Sequence, residues 1–178
     1  MHKGVNGWGG VRVRTVVIGI LVAVPLVLAA DFWRVPDQFT FDGDGPINKD
    51  IRGGALKGYD VVAYHTEDEA VKGSMFITER YEDATFRFST FEHRRLFREN
   101  PEAYLPAYGG FCAVGVANGY KDDMHPEAFS VIDGRLYFNL SKRIHERWRQ
   151  QADEAISRAD ANWPGLMHAP GYGPRDRR

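Results

Sequence analysis

Cysteine is almost absent from this chain: of 178 residues, only Cys112 carries a thiol. A single cysteine excludes an intrachain disulfide, so the hydrophobic core must stabilise the fold. The thiol itself can be buried, bound to a metal, paired with another chain or reactive. Basic residues are not in excess either, since 24 Asp and Glu oppose 23 Lys and Arg. A chain with this balance lacks the net basic character that nucleic-acid binding requires, and no nucleic-acid partner is expected.

The motifs of nucleotide and calcium sites are missing as well. Gly109 and Gly110 lack the Lys and the Ser or Thr of a P-loop, and no dinucleotide-binding glycine pattern follows a predicted strand. The run Asp42–Gly45 lacks the spacing and the terminal Glu of an EF-hand, so a polar turn is expected there. No catalytic constellation emerges from the sequence, and we expect a protein that is not an enzyme.

Acidic residues are absent from the first thirty positions. Lys3, Arg12 and Arg14 precede the apolar run Val16–Ala30, whose 15 residues fall between a secretory signal and a membrane-spanning helix in length. Residues 1–33 are therefore expected to be a signal peptide or a transmembrane signal anchor, with the uncleaved anchor preferred. Either segment exports the remainder to the periplasmic, extracytoplasmic side. An uncleaved helix would hold it at the inner (cytoplasmic) membrane.

Beyond this segment the sequence predicts one small α+β domain of short antiparallel strands and hairpins, a short helix and a C-terminal amphipathic helix. Residues 34–55 are interpreted as a linker, 56–166 as the domain and 167–178 as a disordered tail. The predicted elements, in chain order, are strands Tyr59–His65, Ser74–Arg80 and Ala84–Ser89, a helix from Thr90 to about Asn100, a hairpin of Phe129–Ile132 with Arg135–Leu140, and a helix from Ser141 to about Asn162.

Short sequence signals for turns and helix caps support these predictions. The Asp-Gly pair at 133–134 lies between two alternating patterns and is typical of a type I′ hairpin turn. Thr90 and Ser141 are N-cap residues that precede periodic apolar patterns. The apolar side of the first helix is expected to include Phe91 and Phe97.

The stretch Asn100–Cys112, NPEAYLPAYGGFC, places the cysteine after a Tyr-Gly-Gly turn. Together with GYDVVAY (Gly58–Tyr64) and GRLYFNLS (Gly134–Ser141), it resembles the YHS-domain family, in its longer, exported branch. The resemblance covers roughly residues 55–166. It implies the fold and an association with metals, because smaller YHS and TRASH-like relatives are linked to heavy-metal handling.

The metal-binding residues of the small relatives carry over poorly. When the sequences of those relatives are aligned with this chain, their three cysteines correspond to Ala63, Ser89 and His93. Only His93 keeps the ability to bind a soft metal. The resemblance therefore implies that this metal site is absent here or has been rebuilt around Cys112.

Cys112 is the leading candidate for a metal ligand, because a thiolate binds soft metals such as Cu(I) and His side chains can complete the site. His125 and His93 are the accompanying candidates, with copper preferred and zinc as the second choice. From the residues alone a second interpretation is favoured, in which Cys112 is a small buried hydrophobe. For His93 a solvated helix face is favoured, since Arg94 and Arg95 adjoin it.

The alternative function needs no metal. The residues that flank the two glycine-containing motifs are expected to line a small-molecule pocket near the cysteine: Tyr59, Tyr64, Tyr108, Gly109 and Gly110. The protein would then be a cell-envelope module that binds a small molecule or an unidentified envelope protein. A thiol enzyme is the least favoured hypothesis, because no local signature supports a Cys–His nucleophile pair.

Overall fold

The computed structural model describes residues 41–171. In this part of the chain three two-stranded antiparallel sheets combine with five α-helices. The strands are β1 (Phe41–Asp42), β2 (Lys49–Asp50), β3 (Ser74–Tyr81), β4 (Ala84–Phe88), β5 (Phe129–Ile132) and β6 (Arg135–Phe138). The helices are α1 (Ala63–Thr66), α2 (Phe91–Glu99), α3 (Ala113–Ala117), α4 (Lys142–Arg149) and α5 (Ala152–Leu166). The small α+β class predicted from the sequence is therefore confirmed.

Some expectations concern the undescribed parts of the chain. The signal or anchor segment 1–33, the first part of the expected linker at 34–40, and residues 172–178 of the expected tail all lie outside the described residues. Within residues 41–171, no helix has the length and apolar character needed to cross a membrane.

The β3–β4 hairpin and helix α2 follow the sequence pattern. Along β4 the side chains alternate between buried and half-buried positions, as the period of two requires. The hydroxyl of Thr90 accepts a hydrogen bond from the His93 amide at 3.0 Å and caps α2. Phe97 is fully buried, but Phe91 is 70% exposed. The prediction that Phe91 belongs to the buried side of this helix is therefore wrong.

The second hairpin and its capping signal are also confirmed. β5 and β6 are joined by Asp133 and Gly134, both with positive φ, and the Ser141 hydroxyl caps α4 by accepting from the Ile144 amide. The long helix expected after Ser141 is two helices. Gln151 adopts φ −141° and ψ 35°, which ends helical geometry between α4 and α5.

The segment Tyr59–His65 is not a strand. The backbone at Tyr59 forms one isolated bridge with Lys72, and then the Asp60 carboxylate accepts a hydrogen bond from the amide of Val62 at 3.0 Å. This local bond turns the chain into α1. A short apolar run has no period that separates a strand from a buried helical turn, which explains the wrong assignment.

The expected linker is ordered from β1 onward and belongs to the domain. Ile47 and Asn48 are almost fully buried. The turn Asp42–Gly45 interacts with two buried lysines, since Lys49 Nζ donates to the Asp44 carbonyl at 2.7 Å and Lys121 Nζ donates to the Gly45 carbonyl at 2.9 Å. The polar turn expected there is thus stabilised by ammonium groups.

Two hydrophobic clusters stabilise the domain, and the β5–β6 hairpin contributes to both. Leu136 and Phe138 belong to the first cluster, with β4, α1 and Phe97. Tyr137 points the other way and packs in the second cluster with Phe111 and residues of α3, α4 and α5. The alternation of side chains along β6 therefore joins the two halves of the core.

The Tyr-Gly-Gly turn packs backbone against backbone on the segment before β2. Gly109 has φ +60°, and its carbonyl accepts a hydrogen bond from the Asn48 amide at 2.8 Å. A Cβ atom at Gly109 would lie 1.7 Å from the Pro46 carbonyl oxygen. Glycine is required here by close approach as well as by conformation.

We predict that Gly109→Ala destabilises the protein by about 2–3 kcal/mol more than Gly119→Ala, because an overpacked site must shift its neighbours. Gly119 is the matched control, since it has φ +85° but no atom within 4 Å of the position that a Cβ would take. Urea unfolding of both variants measures the difference. Equal losses of unfolding free energy would show that the close contact with Pro46 does not matter.

Candidate functional site

Asp60 is the centre of a buried polar cluster. The residue is 0% exposed, and its Oδ2 accepts hydrogen bonds from the Ser89 amide at 2.7 Å, the Ser89 hydroxyl at 2.6 Å and His93 Nδ1 at 2.7 Å. The cluster joins the turn before α1 to the end of β4 and the first turn of α2. A buried carboxylate is tolerated only when its oxygens are hydrogen-bonded in this way.

His93 is held between two carboxylates. It is only 9% exposed, so the solvated helix face expected for it is wrong. Its Nδ1 is bound by Asp60, and its Nε2 lies 3.4 Å from Oε1 of Glu67, whose side chain is 43% exposed. The neighbouring Arg94 pairs with Glu79 of β3 and therefore does not crowd the imidazole with unpaired charge.

Two of the positions assigned by the family resemblance are in contact. Ser89 Oγ lies 3.3 Å from His93 Nδ1, across a sequence separation of four residues. The third position, Ala63, is fully buried at the start of α1. Both Ser89 and His93 bind the carboxylate of Asp60.

Cys112 lies in a different, apolar part of the domain. It is 2% exposed, immediately before α3, and its backbone bridges to Phe138 of β6. Burial raises the pKa of the thiol above its ordinary value, and backbone hydrogen bonds from Gly115, Leu140 and Val114 offset this only in part. The sulfur therefore stays a thiol at neutral pH.

The polar neighbour of the thiol is an amide. Cys112 Sγ lies 3.9 Å from Oδ1 of the fully buried Asn139, whose Nδ2 lies 3.1 Å from His145 Nδ1. Ser130 Oγ lies 3.2 Å from the other ring nitrogen of His145. Asn139 separates the sulfur from the imidazole, so the arrangement is a structural hydrogen-bond chain and not a Cys–His nucleophile pair.

The three predicted metal ligands have separate environments. Cys112 faces Asn139, His93 is bound to Asp60, and His125 is exposed, with its Nδ1 accepting from the Glu127 amide at 3.2 Å. Among residues 41–171, no group of three or more His, Cys, Asp or Glu side chains is arranged to hold a metal ion.

The predicted pocket residues also pack in separate places. Tyr64 belongs to the first cluster and donates to the Pro126 carbonyl at 3.1 Å, while Tyr59 packs at the edge of that cluster. Tyr108 belongs to the second cluster and donates to Asp160 at 2.9 Å. The glycines at 109–110 contact the segment before β2 and Leu56. Tyr64 and Tyr108 therefore belong to different parts of the core.

Comparison with known protein families, with curated proteins and with solved structures found no match to this chain. The resemblance to the YHS family therefore rests on the sequence motifs alone.

We predict that native Cys112 reacts slowly with iodoacetamide at pH 8. Labelling requires opening of the core, and an opening free energy of about 3 kcal/mol or more slows the reaction about 100-fold. Mass spectrometry of the alkylated protein, with the urea-unfolded chain as the control, measures the ratio. A native rate equal to the unfolded rate would contradict the buried position.

We predict that stability falls as the pH drops below about 6.5, the ordinary pKa of histidine. Burial lowers the pKa of both His65 and His145, so the unfolded chain takes up protons first. This contribution is fully present above the unfolded pKa and is lost as the pH falls through the folded pKa values. Urea unfolding at pH 5 and pH 7 should show a smaller pH dependence in His145→Gln. An unchanged dependence would exclude His145 as a contributor.

Proposed function

We propose that this chain is an exported, non-enzymatic binding domain that takes a metal ion at His93 and Glu67. The observation that supports this proposal is the spacing of 3.4 Å between His93 Nε2 and Glu67 Oε1, combined with a bond from His93 Nδ1 to Asp60. One ring nitrogen is fixed, and the other is directed at an exposed carboxylate.

The spacing suits a pair of ligands on one metal ion. Two donor atoms that each lie about 2.0–2.1 Å from a tetrahedral ion are about 3.3–3.4 Å apart. His93 and Glu67 therefore need little movement to share an ion. Glu67 is the C-terminal cap of α1, and its exposed side chain has room to adjust.

Asp60 would act on the metal through His93. A carboxylate that accepts the second N–H of a ligating histidine fixes the ring orientation and the tautomer, and raises the basicity of the ligating nitrogen. Asp60 is itself fixed by the amide of Val62 and by Ser89. The imidazole is thus oriented before any ion arrives.

The donor atoms favour copper over zinc. Imidazole suits both ions, and for a given nitrogen and oxygen site Cu(II) binds more tightly than Zn(II). Cu(II) prefers tetragonal geometry, in which neighbouring donors are about 2.8 Å apart, so the exposed Glu67 side chain would move closer to His93 than the present 3.4 Å to share a copper ion. An oxidised exported compartment also favours Cu(II) over Cu(I). Copper is therefore the preferred metal, as the sequence analysis expected. The proposed ion is Cu(II) and not Cu(I), because the ligands are an imidazole and a carboxylate and not a thiolate.

Cys112 is proposed to be structural. Its thiol is buried, its pKa is raised by burial, and its neighbouring polar group is the amide of Asn139. Among residues 41–171, no group of three or more His, Cys, Asp or Glu side chains that could hold an ion includes the sulfur.

Two protein ligands leave coordination positions for water or for a group supplied by another molecule. We expect binding that is weaker than at closed sites with four protein ligands, and readily exchangeable. Such a site suits a domain that receives or transfers an ion, or that binds a metal complex, at the membrane surface.

We predict that the full-length protein binds about one equivalent of Cu(II), and that His93→Gln lowers the affinity by about tenfold or more. Glu67→Gln should weaken binding by a smaller factor, since a carboxamide oxygen is a poorer ligand. Isothermal titration with Cu(II) and with Zn(II) measures both affinities, and electron paramagnetic resonance reports nitrogen ligation of Cu(II).

His125→Gln is the matched control, because His125 is exposed and lies outside the Asp60 cluster. Cys112→Ser separates the two metal hypotheses and also prevents thiol oxidation by copper. Metal binding that survives His93→Gln but disappears in Cys112→Ser would contradict the proposal in favour of a thiolate site. With no binding in the unmutated protein, the cluster would be a buried hydrogen-bond network that stabilises the fold.

The location of the domain is a separate proposal. We propose that residues 1–33 remain attached and hold the domain at the outer face of the inner membrane, as the basic residues before the apolar run suggest. Intact-mass analysis of the membrane fraction measures this directly. A soluble product beginning near Asp31 would show cleavage instead.

A further inference from the structure

Strand β5 has an open edge. It pairs with β6 in a two-stranded sheet, and no other strand of residues 41–171 pairs with it. In a hairpin with a two-residue turn, the residues flanking the turn exchange hydrogen bonds, and every second pair does the same. Ser130 and Ile132 therefore direct their backbone groups toward β6, while Phe129 and Val131 direct theirs to the open side.

A groove runs beside this edge. A cavity of about 580 Å³ is lined by β5, by Asp68 after α1, and by Arg149, Ala152 and Asp153 at the junction of α4 and α5. A second cavity of about 470 Å³ shares Ile132 and Asp153 with the first and continues along α5. The two cavities adjoin at Ile132 and Asp153, and we name them together the β5 groove.

The β5 groove is acidic. Asp68, Asp133 and Asp153 are exposed on its walls, and none of them forms a salt bridge with another described residue. Two arginines also line the groove, Arg149 and Arg135. The charge of Arg135 is neutralised by Asp160, since Arg135 Nη2 lies 2.9 Å from Asp160 Oδ1. Positively charged side chains are therefore complementary to this surface.

We propose that the β5 groove binds an extended, positively charged polypeptide segment of a partner protein, which adds to β5 as a third strand. Backbone hydrogen bonds would form with Phe129 and Val131, in the manner of strand addition to an exposed sheet edge. Side chains on one face of the added strand would enter the groove, where Lys or Arg meets Asp68 and Asp153. This function is independent of the metal ion.

The shape of the site favours a peptide over a compact ligand. The two adjoining cavities lie beside a strand edge, whose most regular feature is a row of backbone groups with the spacing of a strand. β5 has only four residues, a length that limits uncontrolled pairing between edges. A strand of this length offers few hydrogen bonds, so the charges and the groove side chains must supply specificity.

The experiment uses two fluorescein-labelled probe peptides, Lys-Val-Lys-Val-Lys-Val-Lys and Glu-Val-Glu-Val-Glu-Val-Glu, titrated with the full-length protein and followed by anisotropy. The basic peptide should bind saturably and at least tenfold more tightly than the acidic one, because the groove carries unpaired carboxylates. The double variant Asp68→Asn and Asp153→Asn should reduce this preference.

Val131→Pro tests the strand pairing, since proline lacks the N–H that faces the open edge. It should weaken binding of the basic peptide about fivefold or more, the effect of losing a backbone hydrogen bond and the close approach that goes with it. Val131→Thr is the control, because it keeps the N–H and the branched shape. Urea unfolding establishes that both variants are folded, and amide exchange measures protection at Val131 in the unmutated protein when the peptide binds.

Tighter binding of the basic peptide, weakened by Val131→Pro and accompanied by new protection at Val131, would support the proposal. Equal binding of the two peptides would overturn its charge component. Saturable binding without any change in protection at Val131 would overturn strand addition, and no binding of the basic peptide up to about 1 mM would overturn the site as a whole.

Discussion

The carboxylate of Asp60 is the interaction on which both the fold and the proposed site depend. It is fully buried, and it accepts hydrogen bonds from Val62, from the amide and hydroxyl of Ser89 and from His93. Removing one partner of such a buried network costs several kcal/mol, because the remaining groups lose their compensation. The same bonds that join three chain segments also orient the imidazole. The folded structure itself therefore orients His93 toward Glu67.

The single cysteine is buried in the core. Cys112 lies between α3 and β6, where a small apolar side chain fits behind the Tyr-Gly-Gly turn, and Gly109 allows that turn to contact the segment at Pro46. Without disulfides, the domain depends on two hydrophobic clusters joined by the alternating side chains of β6. The sulfur is thereby removed from solvent, and the proposed metal site uses nitrogen and oxygen donors near the surface instead.

Local signals predicted local structure well. The Asp-Gly turn at 133–134 and the N-caps at Thr90 and Ser141 are predictable because their causes lie within a few residues. The candidate site was not predictable in this way. Asp60 lies 33 residues before His93, and the adjacent arginines suggested a solvated helix face. The available sequence signal was an Asp beginning a short apolar run, which caps a turn by bonding two residues ahead.

The most direct test of the proposed site is the ¹⁵N NMR spectrum of the histidine rings in the full-length protein, recorded before and after addition of Zn(II). We predict that His93 carries a proton on Nδ1, hydrogen-bonded to Asp60, and that Zn(II) shifts the Nε2 resonance of His93 more than that of His125. A spectrum in which His93 does not respond, or in which Nδ1 shifts in place of Nε2, would contradict the proposed site.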